Sequence, residues 1–123
     1  MPETHDHFDE TTEDTEAQTR AIRQLNDYLR MTFSGGRVVM TQGVQALSMD
    51  VTSKVIDTIR AFDSFTEDND PYGTHEFGMF DIDGQKLMFK IDCYDKNLEY
   101  GSPDPANPDV TTRVMTILLA SEY

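Results

Sequence analysis

Cysteines, bases and long apolar runs are all scarce in this chain. Cys93 is the only cysteine in 123 residues, which excludes an internal disulfide framework and a zinc site built on cysteines. No apolar run approaches the roughly 18 residues that a membrane-spanning helix needs. The opening residues, MPETHDHFDE, do not resemble a secretory signal. We therefore expect a cytoplasmic protein.

Lysine and arginine number only 10 against 23 aspartates and glutamates, so the net charge is −13. Binding to a nucleic-acid backbone needs a basic stripe, and this balance argues against direct binding of nucleic acid. The charge is uneven, because residues 63–109 carry twelve acids and only three lysines. Such a segment can bind a basic protein surface, including one that would otherwise hold DNA or RNA, or it can serve solubility alone.

Length and composition predict a disordered acidic tail over residues 1–14 and a single α+β domain over residues 15–123. The tail is rich in acids and threonines and has almost no aliphatic side chain to repay the entropy of ordering. Apolar residues at three- and four-residue steps predict one helix over about 15–32 and a second from Ser48 or Asp50 to about Phe62 or Asp63. A short strand, RVVMTQ, is expected between them.

An Asp83-Gly84 pair between two alternating segments is typical of a type I′ hairpin turn. The two-residue loop sets the register, so Phe80 should face Leu87 and Gly78 should face Phe89. The ring of Phe89 would then lie over the bare backbone of Gly78, which accounts for a glycine inside a strand.

Leu98–Tyr100 is predicted to form a further strand, and Asn107 to cap a final helix that reaches towards Tyr123. The expected fold is α+β: three helices packed on a mostly antiparallel sheet of about four strands, in the order α-β-α-β-β-β-α.

The candidate site lies in residues 62–105, which hold most of the aromatic residues. Phe77, Met79 and Met88 share the hairpin face opposite the predicted core, so either another layer covers them or they form a partner surface, including one between two copies of this chain. We expect the protein to be a non-enzymatic binding module for a basic protein surface, with no cofactor. Its candidate partner-binding residues are Glu67, Asp68, Asp70, Tyr72, Phe77, Met79, Met88, Asp95 and Asp104.

A small enzyme is the alternative. The hairpin register predicts that His75 faces Asp92, which would suit a general base and the carboxylate that orients it, although such a pair also serves as a simple ion pair at a strand end. A metal site is a further alternative, with Asp68, Asp70, His75 and Glu76 as ligands. The EF-hand pattern fails in this loop because a tyrosine and a methionine stand where oxygen ligands are needed.

The segments GGRVV, AFDSFTEDNDPYGTHEFG, KIDCYD, YGSPDPANP and RVMTILLASEY together resemble a family of small alphaproteobacterial proteins known as domain of unknown function 3768. The resemblance covers about residues 20–123. It implies a bacterial, non-secreted protein of a chromosome, plasmid or phage-like region, and it transfers no catalytic residue. One form of the binding hypothesis follows from it: an inhibitor that occupies the nucleic-acid-binding surface of a host defence or regulatory protein.

Overall fold

Three α-helices pack on one face of a four-stranded sheet in the computed structural model of the chain. It describes the backbone of residues 2–123 and the side chains of residues 14–123. In chain order the elements are α1 (Pro2–Thr32), β1 (Arg37–Met40), α2 (Gln42–Gln45), α3 (Met49–Ala61), β2 (Phe77–Ile82), β3 (Gln85–Tyr94) and β4 (Thr112–Leu119), with single 3-10 turns at Pro108–Val110 and Ala120–Glu122.

The sheet has the strand order β1-β4-β3-β2. β1 runs parallel to β4, and the other two pairings are antiparallel. The fold class is therefore α+β with a mostly antiparallel sheet, as the sequence predicts. The core lies between the sheet and the helices, where Leu29 of α1 and Ile59 of α3 meet Phe89 and Ile117, all fully buried.

The predicted hairpin register is confirmed. Phe80 pairs with Leu87 and Gly78 with Phe89, and both turn residues, Asp83 and Gly84, have positive φ as a type I′ turn requires. A Cβ added to Gly78 would lie 2.3 Å from Cε1 of Phe89. Glycine is therefore needed here because the aromatic ring occupies the space of a side chain.

The last strand and the last helical segment lie at other residues than the sequence predicts. Their order along the chain, a strand and then a helical segment, is as expected. Residues 98–100 do not form a strand: Leu98 has φ of +61°, and the backbone N–H of Glu99 donates to the Asp95 carboxylate, so the segment is a tight turn. Beyond Asn107, which caps only one 3-10 turn, the chain extends into β4. The run TTRVMTILL is rich in β-branched residues and alternates in burial, and both features favour a strand. The third helix is instead α2, capped by Thr41, and the terminal helical segment is one turn.

The helix predicted from about Thr15 lies within α1. The sequence predicts a disordered tail over residues 1–14. The side chains of residues 1–13 lie outside the described part of the chain, so this stays a prediction. No helix in the described part of the chain is long and apolar enough to cross a membrane.

Candidate functional site

The acidic loop that follows α3 is folded by its own side chains. Oδ1 of Asn69 accepts from the backbone N–H of Thr66 at 2.8 Å, and the Asp70 carboxylate accepts from the backbone N–H of His75 at 3.2 Å. The loop is docked on α1, since Arg23 donates to the carbonyl of Gly73 at 3.0 Å. The side chains of Asn69 and Asp70 therefore satisfy backbone N–H groups of their own loop.

His75 and Asp92 do not form the predicted cross-strand pair. His75 precedes β2 and has φ of +57°, so the extended run begins only after it. Its Nδ1 lies 2.8 Å from Oδ1 of Asp27 on α1, its Nε2 lies 3.8 Å from the Asp70 carboxylate, and its ring stacks on Phe65 with centroids 3.8 Å apart. Asp92 instead accepts from Nζ of Lys90 at 3.1 Å. The general-base geometry expected from the sequence is thus replaced by a contact between the loop and α1.

The alternative metal ligands differ in exposure and in the partners that they bind. Asp68 is exposed, whereas the side chain of Asp70 is only 7% exposed and is bonded to the backbone of His75. Over residues 14–123 no group of three or more histidine, cysteine, aspartate and glutamate side chains is placed to hold a metal ion. The residues present do not fit the metal site that the loop composition suggested.

A cavity of about 410 Å³ lies between α1, the segment 72–76, the end of β3 and Pro105. Ile22 and Asn26 line it from the helix, while Tyr72, Thr74 and Glu76 line it from the loop. Ile91, Asp92 and Cys93 line it from β3. The cavity therefore gathers Tyr72, Glu76 and Asp92, which the sequence analysis placed in three different hypotheses.

The electrostatics of this cavity are negative. Partial burial raises the pKa of the Glu76 carboxyl, and the charges of Asp70 and Asp92 raise it further. Burial also raises the pKa of the Cys93 thiol, against a smaller lowering by Arg113. The thiol is thus kept protonated at neutral pH, which makes it a poor nucleophile.

Asn26 and Arg113 form a buried hydrogen-bonded pair, called the brace below, that contacts both sides of the cavity. Oδ1 of Asn26 accepts from Nε of Arg113 at 2.8 Å, and Nδ2 of Asn26 donates to the carbonyl of Thr74 at 3.0 Å. Arg113 also donates to the carbonyl of Pro105. Both side chains are at most 3% exposed, and burial lowers the pKa of the Arg113 guanidinium.

Sequence reasoning missed this brace. One signal was present for Asn26, which lies four residues after Ile22 and three before Leu29 and so falls within the apolar stripe of α1. No comparable signal marked Arg113, because the helix expected at that position would have placed it among other neighbours.

The predicted partner-binding residues divide by exposure. Met88 is 1% exposed and the Asp70 side chain is 7% exposed, so these two do not belong to the exposed surface. Phe77 and Asp95 are intermediate, whereas the exposed members are Glu67, Asp68, Tyr72, Met79 and Asp104. On the sheet face opposite the helices, Met79 is 44% exposed, and Leu118, which pairs with Met88, is buried. Of the three apolar residues that the sequence places on this face, Phe77, Met79 and Met88, only Met79 is exposed.

Fold and site together define a small acidic α+β protein with a negatively charged cavity beside its docked loop. Residues 40–122 match the family model described as protein of unknown function (DUF3768), and the chain belongs to this family. No curated protein and no solved structure matches the chain.

Proposed function

We propose that the protein is a non-enzymatic acidic binding module that binds a basic protein surface. The observation that carries the proposal is the carboxylate pair Glu76 and Asp92 at the cavity, with Asp70 close beside it. Glu76, Asp70 and Asp92 lie close enough for the last two to raise the pKa of the first. Lys90 pairs with Asp92 at 3.1 Å, whereas Glu76 has no ion-pair partner among the described residues. A cationic partner would therefore offset the repulsion that Glu76 still experiences.

Charge beyond the cavity supports the same proposal. Glu67, Asp68 and Asp104 are exposed, and the chain as a whole carries a charge of −13. Exposed acids would steer the encounter with a basic partner, while Tyr72 and Met79, 75% and 44% exposed, offer apolar contact once the two surfaces meet.

We propose that the protein acts in the cytoplasm of a bacterium and is encoded on a chromosome or a mobile element. In this setting a basic surface that normally holds DNA or RNA is a fitting target, so the protein would inhibit a host defence or regulatory protein by occupying it. The enzyme alternative is not proposed, because His75 and Asp92, its base and orienting group, have other partners.

An affinity pull-down from bacterial lysate tests the proposal. The whole chain is compared with a variant in which Glu67, Asp68 and Glu76 become glutamine or asparagine, and with a version that lacks residues 1–14. We expect one stoichiometric basic protein, retained by the whole chain in low salt, weakened in the charge variant and released at about 0.5 M salt, where the Debye length falls to only a few ångströms. Capture of no specific partner, or capture unaffected by salt and by the charge variant, would contradict the proposal.

A further inference from the structure

β2 is an edge strand of the sheet, and half of its backbone groups face outwards. The strand order is β1-β4-β3-β2, so β2 lies at one end and pairs with β3. Glu76 and Ile91 lie opposite each other just before the start of β2, and the N–H of Ile91 donates to the carbonyl of Glu76 at 2.8 Å. Hydrogen-bonded pairs alternate along an antiparallel ladder. Every second residue of β2 therefore turns its backbone N–H and C=O away from β3: these residues are Phe77, Met79 and Asp81.

The two edges of the sheet are treated differently by the chain. At the β1 edge, Nε2 of Gln45 donates to the carbonyl of Met40 at 2.7 Å, and β1 has only four residues. At the β2 edge, no residue of the described chain forms a hydrogen bond with the backbone of Phe77, Met79 or Asp81. Met79 and Asp81 are also exposed. The β2 edge thus keeps a row of unpaired donors and acceptors.

β2 also lacks the features that usually keep an edge strand from pairing. Natural edge strands are short, or they carry a lysine, a proline or a bulge. β2 has six residues, FGMFDI, with neither lysine nor proline. Its register with β3 is continuous from Phe77 to Ile82, so the described strand holds no bulge. Free N–H and C=O groups in a strand of this kind can pair with a further strand.

The charge around β2 favours a basic occupant over a second copy of this chain. Asp81 and Glu76 are exposed, and neither forms an ion pair with a described residue. Antiparallel pairing of two β2 strands about Met79 would place Asp81 of each copy opposite Phe77 of the other and beside its Glu76. Like charges across a ladder are unfavourable, whereas a segment with lysine or arginine would bring the opposite charge to both acids.

We propose that β2 receives an extended segment of the basic partner as a fifth strand of the sheet, an inference that rests on the proposed function. The backbone of the segment pairs with the outward N–H and C=O groups of β2, which gives affinity, and its side chains give specificity. Side chains of an added strand lie beside those of its neighbour on the same face. The segment therefore carries an apolar residue opposite Met79 and a lysine or arginine two positions away, opposite Asp81.

A blocked peptide, acetyl-TKTVTKT-amide, tests this assignment with the full-length protein. When its valine faces Met79, its symmetric sequence places a lysine opposite Asp81 in either strand direction. One comparison peptide has the same sequence with N-methyl groups on the valine and both lysines, which keeps the charge and blocks the backbone donors. The other, acetyl-TETVTET-amide, reverses the charge.

Binding is followed by NMR through the backbone amide signals of the protein. We expect saturable shifts and slower hydrogen exchange at Phe77, Met79 and Asp81 with the first peptide alone. No saturable shift at these amides, or an equal response to the N-methylated peptide, would overturn strand addition. An equal response to the acidic peptide would overturn the basic occupant.

Two variants locate the binding. Met79→Pro removes an outward N–H and leaves the β3 ladder intact, a position at which edge strands tolerate proline, and it should weaken peptide binding about tenfold. Asp81→Asn should weaken it about threefold, since exposed ion pairs contribute little. Met79→Leu is the matched control, because it keeps the N–H and an apolar side chain, and its affinity should stay within about twofold of the parent value. Parent affinity in both Met79→Pro and Asp81→Asn, or an equal loss in Met79→Leu and Met79→Pro, would overturn the inference.

Sedimentation of the protein alone tests the competing occupant. We expect a monomer, and a dimer that Met79→Pro dissociates would assign the edge to a second copy and overturn the proposal.

The pull-down separates this inference from the proposed function. A basic partner released by salt but captured equally by the parent and Met79→Pro chains would support the function and overturn strand addition. Peptide binding at β2 that Met79→Pro weakens, together with no captured partner, would support strand addition and overturn the proposed function.

Discussion

Replacement of Gly78 by alanine tests the packing at the centre of the hairpin. A Cβ there would lie 2.3 Å from Cε1 of Phe89 and 2.8 Å from both Cζ of Phe89 and Cε1 of Phe62. Real Cβ atoms do not approach carbon atoms this closely, so one of the rings must move. Phe89 is fully buried, and Phe62 meets it edge-on with centroids 5.4 Å apart, so the displaced ring has no open space to enter.

The expected cost follows from two opposing terms. Overpacking of a well-filled core costs about 1–3 kcal/mol. Replacing glycine by alanine reduces the entropy of the unfolded chain and returns about 0.4–1 kcal/mol. We therefore expect Gly78→Ala to lower the free energy of unfolding by about 1–2 kcal/mol, measured by urea denaturation with an unchanged m-value.

Gly101→Ala is the control for this experiment. Nothing lies within 4 Å of a Cβ built at Gly101, and its φ is not positive, so alanine meets neither atoms nor backbone strain. Its free energy of unfolding should stay within about 0.5 kcal/mol of the parent value or rise slightly. If the two alanine variants were equally stable, the close approach of Phe89 to the Gly78 backbone would be refuted.

Three further predictions concern the cavity and its brace. Thr74→Val should raise the free energy of unfolding by about 1–3 kcal/mol in urea denaturation, because it removes a buried hydroxyl that has no partner in the described chain; a loss of stability would show that the hydroxyl is satisfied. Glu76→Gln should also stabilise the protein at neutral pH. Because the pKa of Glu76 is raised above 4.5 on folding, the folded state binds more protons between pH 4.5 and that raised value, so the parent loses stability as pH rises through this window. The gain from Gln should therefore vanish as denaturation is repeated at pH values approaching 4.5, and a gain independent of pH would contradict the assignment. Asn26→Ala should cost about 1.5–3 kcal/mol in thermal or urea unfolding, since it leaves Nε of the buried Arg113 without an acceptor; Gln24→Ala, at an exposed position of the same helix, should change little.

Local signals made the hairpin predictable. The Asp83-Gly84 turn and the alternation of Phe80, Leu87 and Phe89 each depend on neighbours a few residues away, and the turn type then sets every pairing in the ladder. The cap of α3 is equally local, because the Ser48 side chain accepts from the N–H of Val51 three residues later.

The mistaken elements depend on partners far along the chain. Val110, Val114 and Ile117 recur at helical spacing, so their pattern fits a helix as well as a strand. What decides between them is that β4 lies between β1 and β3 and pairs with both, a condition that no short window of sequence contains. The same holds for His75, whose ring is held by Asp27, 48 residues earlier.

The candidate site illustrates the same limit, since its residues become neighbours only through the fold. The region that matches the family begins at residue 40, yet Ile22 and Asn26 of α1 form one wall of the cavity. Arg113, inside the matched region, finds its buried acceptor on α1, and His75 finds Asp27 there. In this chain α1 and the family region are therefore one physical unit. Without the helix, the buried residue Arg113 would lose its side-chain acceptor, and the loop would lose the surface on which it packs. The negative cavity is consequently a property of the α1–loop junction, because Asn26 and Arg113 bind the backbone carbonyls of Thr74 and Pro105 on its two sides.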